Sequence, residues 1–367
     1  MLKVGAGKAG FVRGLLLAGS ASAALCLPGA AFAQDDDEAA AAAADGDAYA
    51  ADEDSSSGNA ILVTATKRER TLQDTPVAVS VTTAETLERG QIRDLRDLPV
   101  LASVHTRFDT YPRYYGMAWA EPWFQGIMRR FYHRCDAIVA PSESMAEVLR
   151  AQDMSDDVGI WSRGVDREIF DPARRDLAWR RSLGIGDGEV AIGFLGRLVM
   201  EKGLDVFADT MAELRKRGVP HKVLVVGEGP ARGWFAERVP EASFTGMLTH
   251  AELGRAVASM DMLLNPSVTE TFGNVTLEAM ASGVPVIAAR ATGSTSLVTE
   301  GQTGRLVEPG DIAAFANAIA AYAADPALRA AHGAAGEERS RAYSWDAINR
   351  TVADVYLRLV EAKNGSA

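Results

Sequence analysis

Residues 265–285, NPSVTETFGNVTLEAMASGVP, constrain the chain most. The apolar run 262–264 reads as a buried strand that stops at Asn265-Pro266-Ser267, turn chemistry that ends a strand. Gly273 and Asn274 then open a helical pattern, with Val275, Leu277, Ala279 and Met280 at its apolar positions. Gly283 ends the helix, Pro285 follows, and residues 286–289 begin another strand. Strand, loop, helix and strand in this order build an open α/β sheet, whose ligands sit at the carboxyl ends of the strands. Glu270 lies in the loop and Glu278 on the helix. The backbone N–H groups around Phe272, Gly273, Asn274 and Val275 point out of the helix start, where an anion is favoured. The stretch offers a phosphate cradle with a carboxylate on each side.

Alone, two glutamates read as solvated acids. Here each neighbouring Gly and Pro has a mechanical role. Glu270, seven residues and Glu278, set in PSxxExFGxxxLEAMAxGxPV, resemble the signature of the retaining glycosyltransferases of family 4. The resemblance implies the GT-B fold, in which two Rossmann-like domains face each other across a cleft and the C-terminal one binds a nucleotide-sugar.

A length of 367 residues suits two domains, and 47% hydrophobic with 24% charged residues is globular. The first hundred residues differ. Residues 1–33 carry Lys3, Lys8 and Arg13, an apolar run and Ala31-Phe32-Ala33, the plan of a secretory signal peptide. Residues 34–60 are an alanine and acid linker with nothing to bury, expected to be disordered. They hold Asp35, Asp36, Asp37, Glu38, Asp45, Asp47, Asp52, Glu53 and Asp54 and no base; removing these nine acids from the net charge of -11 leaves -2. The acidity therefore belongs mostly to this tail. Residues 61–98 resemble the start of a TonB-dependent outer-membrane receptor. Residues 61–66 resemble its TonB box, which pairs with TonB by β-augmentation, 75–81 the first strand of its plug and 84–90 the first plug helix. The alternating strands of a barrel do not follow.

From about residue 99 onward the chain resembles the transferase, but with only the second half of that family's N-terminal domain. The expected fold is α/β and GT-B-like: a truncated N-terminal half-domain at 99–162, an interdomain linker at 163–175, a complete nucleotide-sugar-binding domain at 176–344, and a C-terminal crossover helix and tail at 345–367. Strands are expected at 100–104, 137–139, 158–161, 190–195, 222–226, 243–245 and 305–307 besides those above. Helices are expected at 121–134, 144–151, 204–217, 231–238, 250–259, 311–324, 327–341 and 345–360. This alternation argues for parallel sheets. The missing half-sheet is expected to leave strands 100–104 and 137–139 without neighbours and to impair transfer. The whole reads as a composite of a receptor leader and a truncated transferase.

Residues 194–198 end a strand and Glu201-Lys202-Gly203 starts a helix. Arg197 as a planar fork and Lys202 as a point charge suit a diphosphate. The resemblance assigns both to the donor's phosphates, where charge grows as the diphosphate leaves and fixed cations stabilise it without a metal. Glu278 resembles the glutamate that accepts hydrogen bonds from the ribose hydroxyls, and Glu270 the one that holds the donor sugar. Neither is expected to be a covalent nucleophile, and the paired carboxylates of glycoside hydrolases do not transfer. The resemblance implies same-face attack, the leaving phosphate helping to deprotonate the acceptor. Gly227-Glu228-Gly229-Pro230 lacks the third glycine of a dinucleotide fingerprint, Arg232 standing in its place. In the transferase reading this loop lies near the base, which brings Gly229 to the donor. His105 follows strand 100–104 as the family's histidine near the donor sugar does. Arg107, Tyr111, Arg113, Tyr114 and Tyr115 are acceptor candidates, or a solvated polar loop.

The histidines 105, 133, 221, 250 and 332 are scattered without ligand spacing, so no protein-held metal and no cofactor are expected, the nucleotide-sugar being a substrate. Cys26 falls in the leader and leaves Cys135 alone, so no disulfide framework is expected. The body has no net positive charge to suit nucleic acid. Three functions remain: sugar transfer from a nucleotide-diphosphate sugar to a lipid or glycan acceptor, close to the mannosyl- and sulfoquinovosyl-type glycolipid enzymes; an exported receptor fragment recognised by TonB; or an inactive transferase remnant. The leader implies export, whereas the transferase body implies the cytoplasm or the inner-membrane surface.

Overall fold

The computed structural model describes residues 62–63, 70–71, 99–114 and 116–364. The chain divides into two compact units, residues 1–81 and 82–367. In the first, β1 (Leu62–Val63) and β2 (Arg70–Thr71) pair antiparallel, Leu62 opposite Thr71. Leu62 and Val63 fall inside the TonB-box-like segment. The signal peptide, the acidic linker and the plug-like strand and helix lie outside the described residues.

The second unit begins with β3 (Leu101–Ser103), the single turn α1 (Tyr111–Tyr114) and α2 (Glu121–Tyr132). Next come β4 (Ala137–Ala140), α3 (Glu143–Ala151) and β5 (Val158–Ile160). These strands form a parallel sheet in the order β3-β4-β5. Ser142 starts α3 in extended backbone, its hydroxyl accepting the Met145 N–H at 3.2 Å. The expectation that these strands lack neighbours is not met. Ala102, Val104, Ile138, Val139 and Ala140 are buried, because Tyr132 of α2 and Met145, Ala146 and Leu149 of α3 close over the sheet. Val100, just before β3, does stay exposed, as do Trp119, Trp123, Ile127 and Phe131, spaced four residues apart along α2 and the turn before it.

Beyond the linker, Asp176 caps α4 (Leu177–Ser182), and β6 (Ala191–Leu195), α5 (Leu204–Lys216) and β7 (Lys222–Val226) follow. The chain continues through α6 (Arg232–Arg238), β8 (Ala242–Phe244), α7 (His250–Ala258), β9 (Met262–Asn265) and α8 (Asn274–Ala281). Then come β10 (Val286–Ala289), α9 (Ser294–Leu297), β11 (Gly304–Val307), α10 (Ile312–Ala324), α11 (Pro326–Ser340) and α12 (Trp345–Asn364). The six strands are parallel, in the order β11-β10-β9-β6-β7-β8. Counted from β6, this is the doubly wound order 3-2-1-4-5-6, and it reverses between β6 and β9. Strands covered on both faces read as continuous apolar runs. Phe194, Phe207 and Phe235 meet edge-on over one face, with ring centroids 5.4–5.7 Å apart. Leu224, Leu263, Leu277 and Met280 fill the other.

In the half built on the larger sheet, two elements depart from expectation. Asn265 is the last residue of β9, paired with Ala288, not the first of a turn. The one-turn helix α9 was not expected, four residues being too short to show a helical period.

Candidate active site

The site forms where the order of the larger sheet reverses. β6 runs out through Phe194 and Leu195 into Gly196 and Arg197, and β9 through Leu264 into Asn265; all line one cavity of about 370 Å³. Phe272, Gly273, Asn274 and Val275 complete this wall. Gly273 has φ 96°, a left-handed conformation that L side chains rarely adopt, and it turns the loop sharply into α8. No side chain caps α8, so its first N–H groups start at the cavity without an intrahelical acceptor. Asn265 Nδ2 donates to Thr276 Oγ1 at 3.1 Å, which fixes the helix to the strand end.

The opposite wall comes from the smaller sheet: His105 after β3, Pro141 after β4 and Arg163 after β5. The two walls meet at Thr271. Its hydroxyl donates to the His105 carbonyl at 2.8 Å, and its own carbonyl accepts from Ser142 Oγ at 2.6 Å. A second tie runs through Ser144, whose Oγ accepts the Gly293 N–H at 3.0 Å and whose N–H donates to Ser296 Oγ at 3.2 Å.

Lys202 and Glu270 both line the cavity, and they hold each other: Nζ donates to Oε1 at 2.6 Å. The residues to which the resemblance gives separate duties at phosphate and sugar are thus joined as one ion pair. Arg197 is exposed, and its guanidinium has no hydrogen-bond or ion-pair partner among the described residues. His105 Nε2 lies 2.6 Å from Ser103 Oγ, and its ring meets Trp161 at 5.7 Å. Burial, and then the Arg163 charge, lower its pKa, so the imidazole is neutral at pH 7.

Glu278 and Gly229, both expected at the donor, are not among the residues that line the cavity. Among the described residues no donor reaches the Glu278 carboxyl, and burial pushes its pKa up to about 7. At Gly229 a Cβ would come within 2.5 Å of the Leu198 carbonyl. Glycine lets this loop lie on the Leu198 backbone, where Leu198 N–H donates to Glu228 O at 3.0 Å. Gly229 therefore shapes the loop that presents Arg197. The acceptor candidates also move. Arg107 is committed to the buried Asp109 through two hydrogen bonds of 2.9 and 2.8 Å, and Arg113 to Glu121 at 2.5 and 2.6 Å. The side chains of Tyr111, Tyr114 and Tyr115 lie outside the described residues. Arg163, Thr271, Asn265 and Pro141 join the site without having been expected there. Thr271 occupies an unspecified position of the motif, and Arg163 reads only as the first residue of the linker.

Residues 189–325 match the family model described as Glycosyl transferases group 1, and residues 74–169 the model described as Glycosyltransferase Family 4. The first match spans all six strands of the larger sheet and the second the three strands of the smaller one. The second match begins inside segment 61–98, the stretch expected to be a receptor leader. The GDP-mannose-dependent alpha-mannosyltransferase of Corynebacterium glutamicum is 32% identical over 256 residues, 70% of this chain and 60% of that protein. The sulfoquinovosyl transferase of Arabidopsis thaliana is 31% identical over 269 residues, 71% of this chain and 52% of that protein. The chain thus spans little more than half the length of these relatives. Sucrose-phosphate synthase from Thermosynechococcus elongatus superposes with a TM-score of 0.63 at 26% identity, covering 71% of this chain and 68% of that one. The Anabaena protein HepE, solved with UDP and glucose, shares the fold at a TM-score of 0.58 and 22% identity, over 70% and 71% of the two chains. The described body has the GT-B architecture, the six-stranded half giving one wall of the cavity and the three-stranded half the other.

Proposed function

We propose that the chain transfers a hexosyl group from a nucleotide-diphosphate sugar to a lipid or glycan acceptor, with retention of configuration. The observation that carries this reading is the convergence of Arg197, Lys202, Glu270 and the start of α8 on one cavity, faced by His105 from the other sheet. The diphosphate lies against Arg197 and the α8 N–H groups, so the charge that grows on the leaving group meets a fixed cation and oriented dipoles. Lys202 exchanges Glu270 for a phosphate oxygen, and the released Glu270 accepts hydrogen bonds from the donor sugar. His105, being neutral, bonds a sugar hydroxyl without adding charge. Glu278 accepts from the ribose hydroxyls. Neither acid attacks the sugar; the departing phosphate takes the acceptor's proton on the face it leaves.

The mannosyl and sulfoquinovosyl relatives favour a glycolipid acceptor at a membrane surface. The reading then places the reaction in the cytoplasm or at the inner membrane, against the export that residues 1–33 imply. It uses no protein-held metal, so transfer should persist in chelator. Calorimetric titration with UDP and GDP, followed by transfer assays with UDP- and GDP-sugars on the same preparation, tests it. Saturable binding of one diphosphate and a product that keeps the donor's anomeric configuration by NMR are expected. Binding of neither nucleotide sinks the reading, and an inverted product sinks the mechanism.

A further inference from the structure

We propose that Arg163 is a ligand of the donor's diphosphate, supplied from the interdomain linker on the wall opposite Arg197. The proposal rests on the donor reading above and goes beyond it by adding a cation from the other half of the molecule.

Arg163 lines the cavity just after β5. Its guanidinium lies 5.8 Å from the centroid of the Trp161 ring. Among the described residues no carboxylate or carbonyl pairs with it. The group is half-buried, and desolvation lowers its pKa. A cation withdrawn from water without a counter-ion is costly, so it favours a site where an anion will arrive.

The charges of the cavity decide which anion. Arg163, Arg197, Lys202 and Glu270 are its charged side chains, His105 being neutral. Lys202 and Glu270 neutralise each other at 2.6 Å. Two guanidinium charges are left over, one on each wall. The diphosphate of a nucleotide-sugar carries one negative charge per phosphate at neutral pH, which balances both. Guanidinium forks also match phosphate oxygens two bonds at a time, as an ammonium cannot. Arg163 is held for this role by its neighbours: Gly164 packs on Trp345 so closely that a Cβ would meet the indole at 2.7 Å, and Val165 N–H donates to Tyr343 O at 3.0 Å. An anion gripped by both guanidiniums would draw the two walls together.

The test uses the full chain, with UDP and GDP titrated calorimetrically and uridine and guanosine followed by ligand-observed NMR. Arg163→Met should weaken the diphosphate that the wild type binds by about tenfold or more, the loss of one charged hydrogen-bonding group. It should leave the matching nucleoside's affinity unchanged, whereas a merely structural role would weaken both. Arg163→Lys should recover part of the loss, because it keeps the charge without the fork. If Arg163→Met does not fold, Arg163→Lys alone decides, an affinity about threefold or more below wild type being expected. Diphosphate affinity unchanged in the variant that folds overturns the proposal, and a raised acceptor KM in that variant would assign Arg163 to an anionic acceptor. A wild type that binds neither diphosphate fails one step earlier and removes the donor reading together with this one.

Discussion

Burial brings the Glu278 carboxyl into the neutral pH range. Its folded pKa of about 7 lies above the ordinary 4.5, so folding favours the protonated acid. That stabilisation is complete below pH 4.5 and is lost as pH rises through 7. Glu278→Gln should therefore stabilise the empty protein at pH 8, by up to about 3 kcal/mol, and not at pH 4; urea unfolding at the two pH values reads this. Ribose hydroxyls that donate to the carboxylate favour its charged form. Nucleotide affinity should rise from pH 6 to pH 8 with proton release, and the proton release should vanish in Glu278→Gln when titrated in buffers of different ionisation heat. Lys202→Ala should cost about 1–3 kcal/mol of diphosphate binding. Because it also strips Glu270 of its partner, the Lys202→Ala/Glu270→Gln pair is needed to separate the two effects. Thr271→Val removes the bond to the His105 carbonyl. It should lower kcat more than diphosphate affinity, since the phosphate-binding groups of β6 and α8 are untouched and, of the proposed phosphate ligands, only Arg163 lies on the loosened wall.

At the scale of elements, the amino ends of β6 and β9 are locked by a polar knot. The fully buried Arg180 of α4 donates to Asp261 Oδ2 at 2.9 Å, to Ser259 O at 2.7 Å and to Glu189 O at 2.6 Å. Asp261 also accepts from Arg175 at 2.6 Å and from the Ala191 N–H at 2.7 Å. Asp261→Ala would leave a buried guanidinium without its counter-ion and should cost about 3–5 kcal/mol, measured by urea unfolding. Nothing in the sequence marks this pair, because its members are joined only once α4 docks. What was legible was local. β7 and β10 end where their apolar runs end, and the expected helices 204–217 and 231–238 fall within one residue of α5 and α6. The lining residues 270 and 272–275 were legible too, being part of one contiguous stretch. His105 was found through the family resemblance. Thr271 and Arg163 were not, because their roles exist only where two distant segments touch.

As a whole, the described body is two sheets joined twice, through the linker and again where Tyr343 and α12 return to it. Arg167 of the linker pairs with Glu337 and donates to Ser340 Oγ at 2.8 Å, and Arg358 of α12 lies 4.0 Å from Asp157 beside β5. The aromatic ring at this junction has a consequence of its own. Trp161 stands between His105 and Arg163, with its indole N–H buried and lacking an acceptor among the described residues. Indole emission follows the charge and polarity around the ring, so the protein contains an optical gauge of whether its cleft is full. Six tryptophans contribute to the total fluorescence, and Trp161→Phe isolates the share of this one. Titration with the nucleoside diphosphate should change the intensity or wavelength of emission in the wild type and lose most of that change in Trp161→Phe, giving a ligand-binding signal that needs no added label.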